Sequence, residues 1–293
     1  MSIIFAFPEY KKFASQIAVL TSFPMGDFSI HSFPDGESLV TVQSEVKDQD
    51  VIVVCGLEHA DEKVLPLLFL CRVVKELGAK RVGLVAPYLG YMRQDMRFLP
   101  GQAITSDIFA KLLSSFVDWL ITLDPHLHRH ASLDEIYTIP TTVLHAATKI
   151  KEWIKANIKN PVLIGPDQES RQWVCDIAEQ ADVPFLVLKK VRHGDNEVEI
   201  SSPDLADYKT HTPILLDDII STAQTMIKTV QRVQKEGMNL PVCIGIHAVF
   251  ADGAYQDLKN SGVAQIITTN SIEHESNKID VSSLFSKALK QCA

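Results

Sequence analysis

The sequence predicts an α/β protein with two domains of similar size, each built on a mostly parallel sheet flanked by helices. Short continuous apolar runs alternate with amphipathic stretches of helical spacing, a pattern typical of parallel sheets covered on both faces. The 293 residues are enough for two domains of ordinary size, and the alternation starts again after Pro140. We therefore expect a boundary near residue 145, with domains at 1–145 and 146–293.

In the first half, strands are predicted at 50–56, 81–87 and 118–124, because each is a short apolar run rich in β-branched residues. A helix is predicted near 61–77. Gly78 ends it, because glycine readily takes the left-handed conformation found just after many helices. A polar loop follows the second strand, and a helix near 103–115 precedes the third.

The second half begins with a helix predicted near 144–157. Its predicted strands lie at 161–167, 184–190, 196–200, 213–218, 241–250 and 264–270. One helix separates the first two of these strands, another ends at Gly237, and a third closes the chain near 281–290.

Composition excludes several classes of partner. The net charge is −8 and the chain has no block of basic residues, which argues against nucleic acid and anionic membranes. No apolar run is long enough to span a membrane, and the first residues lack the charged start of a signal peptide. The five cysteines are scattered without a CxxC pair, so reduced thiols and a cytoplasmic location are expected.

Two adjacent acids, Asp217 and Asp218, follow a short apolar run, and the hydroxyls of Ser221, Thr222 and Thr225 come just before or at the start of a helical segment. The amides of a helix N-terminus suit a phosphate, while carboxylates accept hydrogen bonds from sugar hydroxyls or hold a metal. A phosphorylated sugar would satisfy both parts of the motif. The alternative is a capped helix with Ser221 or Thr222 as the N-cap, which leaves the acid pair unexplained.

A second polar cluster lies between a strand and a helix, and it contains Arg93, Gln94, Asp95 and Arg97. This arrangement is typical of a loop that grips a polyphosphate at the carboxyl end of a strand. Ordinary surface charge explains the cluster equally well when it is considered alone.

Three histidines, His126, His128 and His130, alternate after the strand at 118–124. In an extended segment they would share one face, so they favour a metal site, and a zinc hydrolase is one interpretation. A solvated histidine-rich loop is an equally common explanation.

Two weaker clusters occur in the second half. Asp167 lies just past the strand at 161–167, and Lys189, Lys190 and Arg192 form a cationic group before a Gly-Asp-Asn turn. A solvated hairpin face explains the cations if the other clusters are ignored.

Taken together, these stretches resemble the ribose-phosphate diphosphokinases, also called phosphoribosyl pyrophosphate synthetases. The matching segments follow the family's order over most of the chain. They are FPDGE (33–37), PYLGYMRQD (87–95), ITSDIFAKLL (104–113), LDPH (123–126), GPD (165–167), KVR (190–192) and LLDDIISTAQT (215–225).

The resemblance implies a pair of phosphoribosyltransferase-type domains with the active site between them. It implies an enzyme that transfers the diphosphoryl group of ATP to ribose 5-phosphate, giving phosphoribosyl pyrophosphate and AMP, with Mg²⁺ as the cofactor. It also implies a homo-oligomer, dimer or higher, because in the family one loop of the ATP site comes from a neighbouring subunit.

The resemblance also assigns roles by position. The adenine-binding residues are Phe33, Asp35 and Glu37, and the remaining ATP-site residues are Arg93, Gln94, Asp95 and His126. His126 and Asp167 are the metal-linked positions, and Lys190 and Arg192 are the catalytic cations of a mobile loop. Asp217 and Asp218 bind the ribose hydroxyls, and the residues that bind the 5-phosphate are Ser221, Thr222, Ala223, Gln224 and Thr225.

Two departures from the family pattern concern phosphate binding. The sugar-phosphate loop usually reads Asp-Thr-Gly-Gly-Thr, but here it contains Ala223 and Gln224 in place of the glycines. The loop after the second metal position usually carries glycines, and here residues 168–170 are Gln-Glu-Ser. A non-catalytic, synthetase-like regulatory subunit is therefore the competing interpretation.

Overall fold

The computed structural model describes residues 1–167, 170–193, 197–201 and 205–292. The chain forms two compact units. Unit 1 comprises Met1–Leu144, Ser271–Glu273 and Val281–Ala293, and unit 2 comprises His145–Asn270 and His274–Asp280. The predicted division into functional domains at 1–145 and 146–293 stays a prediction.

Most of unit 1 comes from the first half of the chain. Its elements are β1 (Ser2–Ala6), α1 (Lys11–Thr21), β2 (Phe28–Ser32), β3 (Ser38–Val42), β4 (Asp50–Val54), α2 (Ala60–Glu76), β5 (Arg81–Ala86), α3 (Thr105–Ser114), β6 (Trp119–Leu123) and β7 (Thr141–Leu144).

The core of unit 1 is a five-stranded parallel sheet in the order β1-β4-β5-β6-β7. β4 and β5 are buried along almost their whole length, which explains their continuous apolar sequences. β2 and β3 form a separate antiparallel ribbon. One face of this ribbon packs on the core through Phe28, Ile30, Val40 and Val42.

Unit 2 contains the remaining sheet and most of the second half of the chain. Its elements are α4 (Ala147–Asn157), β8 (Pro161–Gly165), α5 (Arg171–Ala181), β9 (Phe185–Val187), β10 (Lys189–His193), β11 (Glu197–Ser201), β12 (Thr212–Ile220), α6 (Gln224–Lys235), β13 (Val242–Ala248), α7 (Ala254–Asn260), β14 (Gln265–Thr269) and β15 (Asn277–Ile279).

Six strands of unit 2 form a parallel sheet in the order β15-β14-β13-β12-β8-β9. β10 and β11 form a separate antiparallel ribbon. The last helix, α8 (Ser282–Cys292), packs on α1 in unit 1, where Phe285 contacts Phe13 edge to face. Short 3-10 turns occupy Pro8–Tyr10, Leu133–Glu135 and Leu205–Tyr208.

The predicted strands and helices are confirmed, with shifts of a few residues at their ends. Gly78 and Gly237 have φ of 94° and 74°, so both take the left-handed conformation after a helix, as predicted. The strand predicted at 184–190 is divided, because Phe185–Val187 joins the main sheet and Lys189 begins the separate ribbon. Sequence reasoning did not predict β1, α1, β2, β3, β7, α7 or β15, and most of these lie in the first 49 residues.

One difference concerns the acid pair. The strand predicted at 213–218 ends with Asp217 and Asp218, whereas β12 continues two residues further, to Ile220. The reason is that parallel pairing with β13 continues past the acids, with Asp217 beside Gly245 and Ile220 beside Ala248. Within the described part of the chain, no helix is both long and apolar enough to cross a membrane.

Candidate active site

Three carboxylates lie together at the carboxyl edge of the unit 2 sheet. β8 and β12 are parallel neighbours, with Leu215 beside Ile164. Asp167 therefore follows β8 near the level at which β12 carries Asp217 and Asp218, shortly before its end at Ile220. Burial raises the pKa of Asp217 well above its ordinary value, and the charges of Asp218 and Asp167 raise it further. The cluster therefore favours a ligand that brings positive charge or hydrogen-bond donors.

Local backbone geometry holds these acids in place. The amide of Asp218 donates to Asp217 Oδ1 at 3.1 Å, and the amide of Ile219 donates to Asp218 Oδ1 at 2.8 Å. Asp167 accepts from the amide of Ser170 at 3.3 Å, while the Ser170 hydroxyl donates to the carbonyl of Asp167 at 2.7 Å. The carboxylates are thus oriented before any ligand arrives.

The loop after the acid pair leads into the N-terminus of α6. Ala223 has φ of 58° and ψ of 2°, a left-handed conformation, and it is only 5% exposed. It is also the N-cap residue, and no side chain caps the helix, so the alternative in which Ser221 or Thr222 is the N-cap is wrong. The first-turn amides of a helix lack intrahelical acceptors and therefore suit an anion.

The predicted catalytic cations Lys190 and Arg192 lie on β10. Their backbones pair with Ile200 and Val198 of β11, so the KVR motif belongs to an antiparallel ribbon outside the main sheet. Their side chains lie outside the described part of the structure, as do Gln168 and Glu169 entirely.

In unit 1, the loop between β5 and α3 contains Arg93, Gln94 and Asp95. Arg93 is exposed, whereas Asp95 is buried, with its side chain 0% exposed. Arg129 Nη1 donates to Asp95 Oδ1 at 2.7 Å, and the other carboxylate oxygen has no hydrogen-bond partner among the described residues. Asp95 therefore faces the protein interior.

The histidine segment follows β6 in the same unit. The rings of His126 and His128 are adjacent, with their centroids 3.8 Å apart. His130 is placed differently, because its Nδ1 lies 3.0 Å from Glu135 Oε2 and its Nε2 lies 3.8 Å from Asp107 Oδ1. Two of the three histidines thus lie together, and the third is engaged by acids of unit 1.

The predicted adenine-binding residues occupy the turn that joins β2 to β3. Gly36 has φ of 90°, and its amide donates to the carbonyl of Phe33 at 2.9 Å. The carboxylate of Asp35 accepts from the amide of Glu37 at 3.1 Å, and the Phe33 ring is 41% exposed and packs against His31. The ribbon thus presents an exposed aromatic ring at its tip.

Two family models match the chain. The N-terminal domain of ribose phosphate pyrophosphokinase matches residues 2–116, and the phosphoribosyl transferase domain matches residues 132–285. A ribose-phosphate pyrophosphokinase of Methanobrevibacter smithii is 32% identical over 271 residues, which cover 88% of this chain and 90% of that protein. The chain belongs to the ribose-phosphate pyrophosphokinase family.

Other members of the family give the same result. A ribose-phosphate pyrophosphokinase of Methanothermobacter thermautotrophicus is 30% identical and covers 96% of this chain and 97% of its own length. The crystal structure of phosphoribosylpyrophosphate synthetase from Mycobacterium smegmatis superposes with a TM-score of 0.87 at 21% identity, over 99% of this chain and 98% of that one. The resemblance to ribose-phosphate pyrophosphokinases and the predicted fold are therefore confirmed.

The structure brings together some of the predicted site residues. In unit 2 it gathers Asp167, Asp217 and Asp218 beside the loop at 221–225. In unit 1 it connects the loop at 91–102 to the histidine segment through Asp95. The roles of the individual residues stay predictions.

Sequence reasoning missed Arg129 as a partner of Asp95. The signal was present but weak, since Arg129 is a cation between two histidines, and the histidines themselves indicate a metal site. It also missed that Asp95 is buried, because an acid in a polar loop gives no sign of its own burial.

Proposed function

We propose that this chain forms phosphoribosyl pyrophosphate and AMP from ATP and ribose 5-phosphate in a Mg²⁺-dependent reaction. The observation that carries the proposal is the carboxylate cluster of unit 2 beside a phosphate-type loop, in a chain of the ribose-phosphate pyrophosphokinase family. The anomeric hydroxyl of the sugar attacks the β-phosphorus, the bond between that phosphorus and the α,β-bridging oxygen breaks, and AMP leaves.

The sugar phosphate is assigned to unit 2. Asp217 and Asp218 accept hydrogen bonds from the ribose hydroxyls, which offsets the burial and the neighbouring negative charge that together raise the pKa of Asp217. The amides at 221–225, at the start of α6, hold the 5-phosphate, with the side chains of Ser221, Thr222, Gln224 and Thr225 as further donors.

The nucleotide is assigned to residues of unit 1. Arg93 and Gln94 contact the triphosphate, and His126 would help to hold the metal ion that accompanies it. Phe33, Asp35 and Glu37 hold the adenine, with the exposed Phe33 ring as the stacking surface. Because in the family this loop of the ATP site comes from a neighbouring subunit, we propose that the group serves a neighbouring copy, which makes the active form at least a dimer. Static light scattering of the active protein tests this, and a fully active monomer would refute it.

Asp167 and His126 are the residues proposed to hold Mg²⁺. The fit rests on the oxygen-rich edge around Asp167, where burial and then the charges of Asp218 and Asp167 raise the pKa of Asp217. Mg²⁺ prefers carboxylate and phosphate oxygens. When bound, Mg²⁺ neutralises charge on the phosphate oxygens.

The cations of β10 complete the proposed charge balance. Diphosphoryl transfer depends on positioning and on neutralising negative charge, and it needs little covalent participation by the protein. Lys190 and Arg192 supply positive charge to the reacting phosphates, and they act most strongly where water is excluded.

The rival function is a non-catalytic, synthetase-like subunit that binds nucleotide or an active partner. One observation favours it, namely that a residue with a Cβ occupies the left-handed position of the phosphate loop. A strained loop of this kind weakens phosphate binding without removing the binding groups, so we favour the enzyme.

The deciding experiment incubates purified protein with ATP, Mg²⁺ and ribose 5-phosphate and follows the products by ³¹P NMR. AMP and phosphoribosyl pyrophosphate should form in equal amounts, and EDTA should abolish both until Mg²⁺ is restored in excess. ADP as the main product would indicate an ordinary kinase. No turnover together with measurable nucleotide binding would favour the non-catalytic subunit.

A cytoplasmic location is proposed from the thiols. Cys55, Cys71 and Cys243 are buried and free, and burial raises the pKa of each, that of Cys71 to about 12. Such thiols react slowly and suit a reducing compartment. Thiol titration of freshly purified, denatured protein should find all five cysteines reduced. A disulfide would contradict the proposal.

A further inference from the structure

The ion pair between Asp95 and Arg129 joins two segments assigned to the nucleotide. Asp95 belongs to the loop that follows β5, and Arg129 belongs to the histidine segment that follows β6. β5 and β6 are parallel neighbours, so both segments leave the same edge of the unit 1 sheet. The pair measures 2.7 Å, and the guanidinium carbon of Arg129 lies 5.5 Å from the centre of the Phe98 ring.

The carboxylate of Asp95 is placed so that it depends on Arg129. Its side chain is 0% exposed, and its Oδ2 has no hydrogen-bond partner among the described residues. A buried carboxylate is strongly unfavourable without a cationic partner. Because it is also shielded from solvent, Asp95 affects a bound nucleotide through the elements it holds.

The loop around Asp95 is itself fixed by hydrogen bonds. Gln102 Oε1 accepts from the amides of Phe98 and Leu99 at 3.1 and 3.0 Å, and Arg97 Nε donates to the carbonyl of Gln102 at 3.0 Å. The carbonyl of Gln94 accepts from the amide of Ser106 at the start of α3, at 3.3 Å. These bonds hold the loop together and attach it to α3, and the Asp95–Arg129 pair attaches it to the histidine segment. Loss of the pair should therefore displace Arg93, which lies two residues before Asp95.

We propose that Arg129 is a positioning residue for nucleotide binding. By pairing with the buried Asp95, it fixes the loop that carries Arg93 against the segment that carries His126. Displacing a substrate-binding group by about 1 Å is enough to lower catalysis about a hundredfold, so such an attachment matters. The inference rests on the proposed function for its kinetic test, and it also has a binding test that does not require turnover.

The experiment compares Arg129→Gln with wild type in two measurements. One is the KM for ATP and for ribose 5-phosphate, and the other is calorimetric binding of α,β-methylene-ATP with Mg²⁺. Arg129→Gln should weaken analogue binding and raise the KM for ATP by about tenfold or more, while the KM for ribose 5-phosphate stays within about twofold. Arg129→Lys should recover part of the loss, because it keeps the charge but lacks the planar guanidinium.

Arg72→Gln is the matched control. Arg72 also lies in unit 1, is exposed, and donates from Nη2 to the carbonyl of Ser115 at 3.0 Å. Arg72→Gln also replaces an arginine and removes a hydrogen bond of its guanidinium, but away from both segments, so both substrates should bind as in wild type.

The double variant Asp95→Asn/Arg129→Gln separates positioning from charge balance. It removes the buried charge that Arg129→Gln leaves unpaired, so its unfolding temperature should return close to that of wild type. If Arg129→Gln alone does not fold, analogue binding by the double variant tests the positioning role instead. Analogue binding should stay weak. If binding recovers together with stability, or if Arg129→Gln binds the analogue normally, Arg129 only balances a charge and the inference is overturned.

The two proposals fail in different ways. A wild-type protein that forms no AMP refutes the proposed function, and analogue binding by the variants still tests Arg129. A wild-type protein that binds no analogue refutes the inference as well.

Discussion

Replacing Ala223 with glycine tests whether the sugar-phosphate loop is strained. Ala223 has φ of 58° and is 5% exposed. The left-handed conformation costs a residue with a Cβ about 1–2 kcal/mol, and glycine avoids this cost. Against this, the greater conformational entropy of glycine in the unfolded chain lowers the free energy of unfolding by about 0.5–1 kcal/mol, and removing a buried methyl group lowers it by about 0.8 kcal/mol. The free energy of unfolding should therefore change by less than about 1 kcal/mol.

Ala178→Gly is the matched control. Ala178 lies inside α5, is 1% exposed and has no left-handed strain to relieve. Its replacement should cost about 1 kcal/mol of helix propensity and about 0.8 kcal/mol of burial. The two variants should thus differ by about 1–2 kcal/mol, or several degrees in unfolding temperature by circular dichroism. Equal destabilisation would refute the strain argument.

The same substitution has a functional consequence. Without a Cβ the backbone at residue 223 can approach a phosphate more closely, so the KM for ribose 5-phosphate should fall. A closer contact worth about 1 kcal/mol corresponds to a fall of about fivefold, with the KM for ATP unchanged. Ala178→Gly should change neither constant. An unchanged or higher KM for ribose 5-phosphate in Ala223→Gly would mean that this loop does not hold the phosphate.

Two further predictions concern charge. Because the pKa of Asp217 is raised in the folded protein, the wild type loses stability as the pH rises through that pKa. Asp217→Asn should therefore unfold at a higher temperature than wild type at pH 7, and this difference should vanish below about pH 4. Its kcat/KM for ribose 5-phosphate should nevertheless fall at least about tenfold. Lower stability at pH 7 would contradict the electrostatic argument. Lys190→Ala should lower AMP formation by orders of magnitude while the calorimetric Kd of ATP changes less than about threefold, and Lys189→Ala should be nearly normal. Turnover of Lys190→Ala within about threefold of wild type would exclude Lys190 as a catalytic cation.

The order of the main elements was predictable from sequence because each reflects local chemistry. Strands such as β4 and β5 are short β-branched runs buried on both faces, and helix ends at Gly78 and Gly237 follow from the freedom of glycine at positive φ. The elements that were missed have weaker patterns. β2 and β3, for example, alternate half-buried with exposed residues on a ribbon that packs by one face only.

The motifs also identified the family, because seven short stretches in a fixed order specify it without any knowledge of three-dimensional contacts. The same letters identified the altered phosphate loop. They did not show that Ala223 takes a left-handed conformation, because an alanine favours the right-handed region unless the surrounding structure imposes another.

The sequence by itself therefore determined the fold class, the family and the positions at which chemistry is expected. Only the tertiary structure decided which charges meet. Asp167 lies 50 residues from Asp217, and the two acids become neighbours because β8 and β12 pair in parallel. Asp95 meets Arg129 because β5 and β6 do the same. Electrostatic interaction depends on distance and burial, and for residues far apart in the chain both are set by strand order and packing.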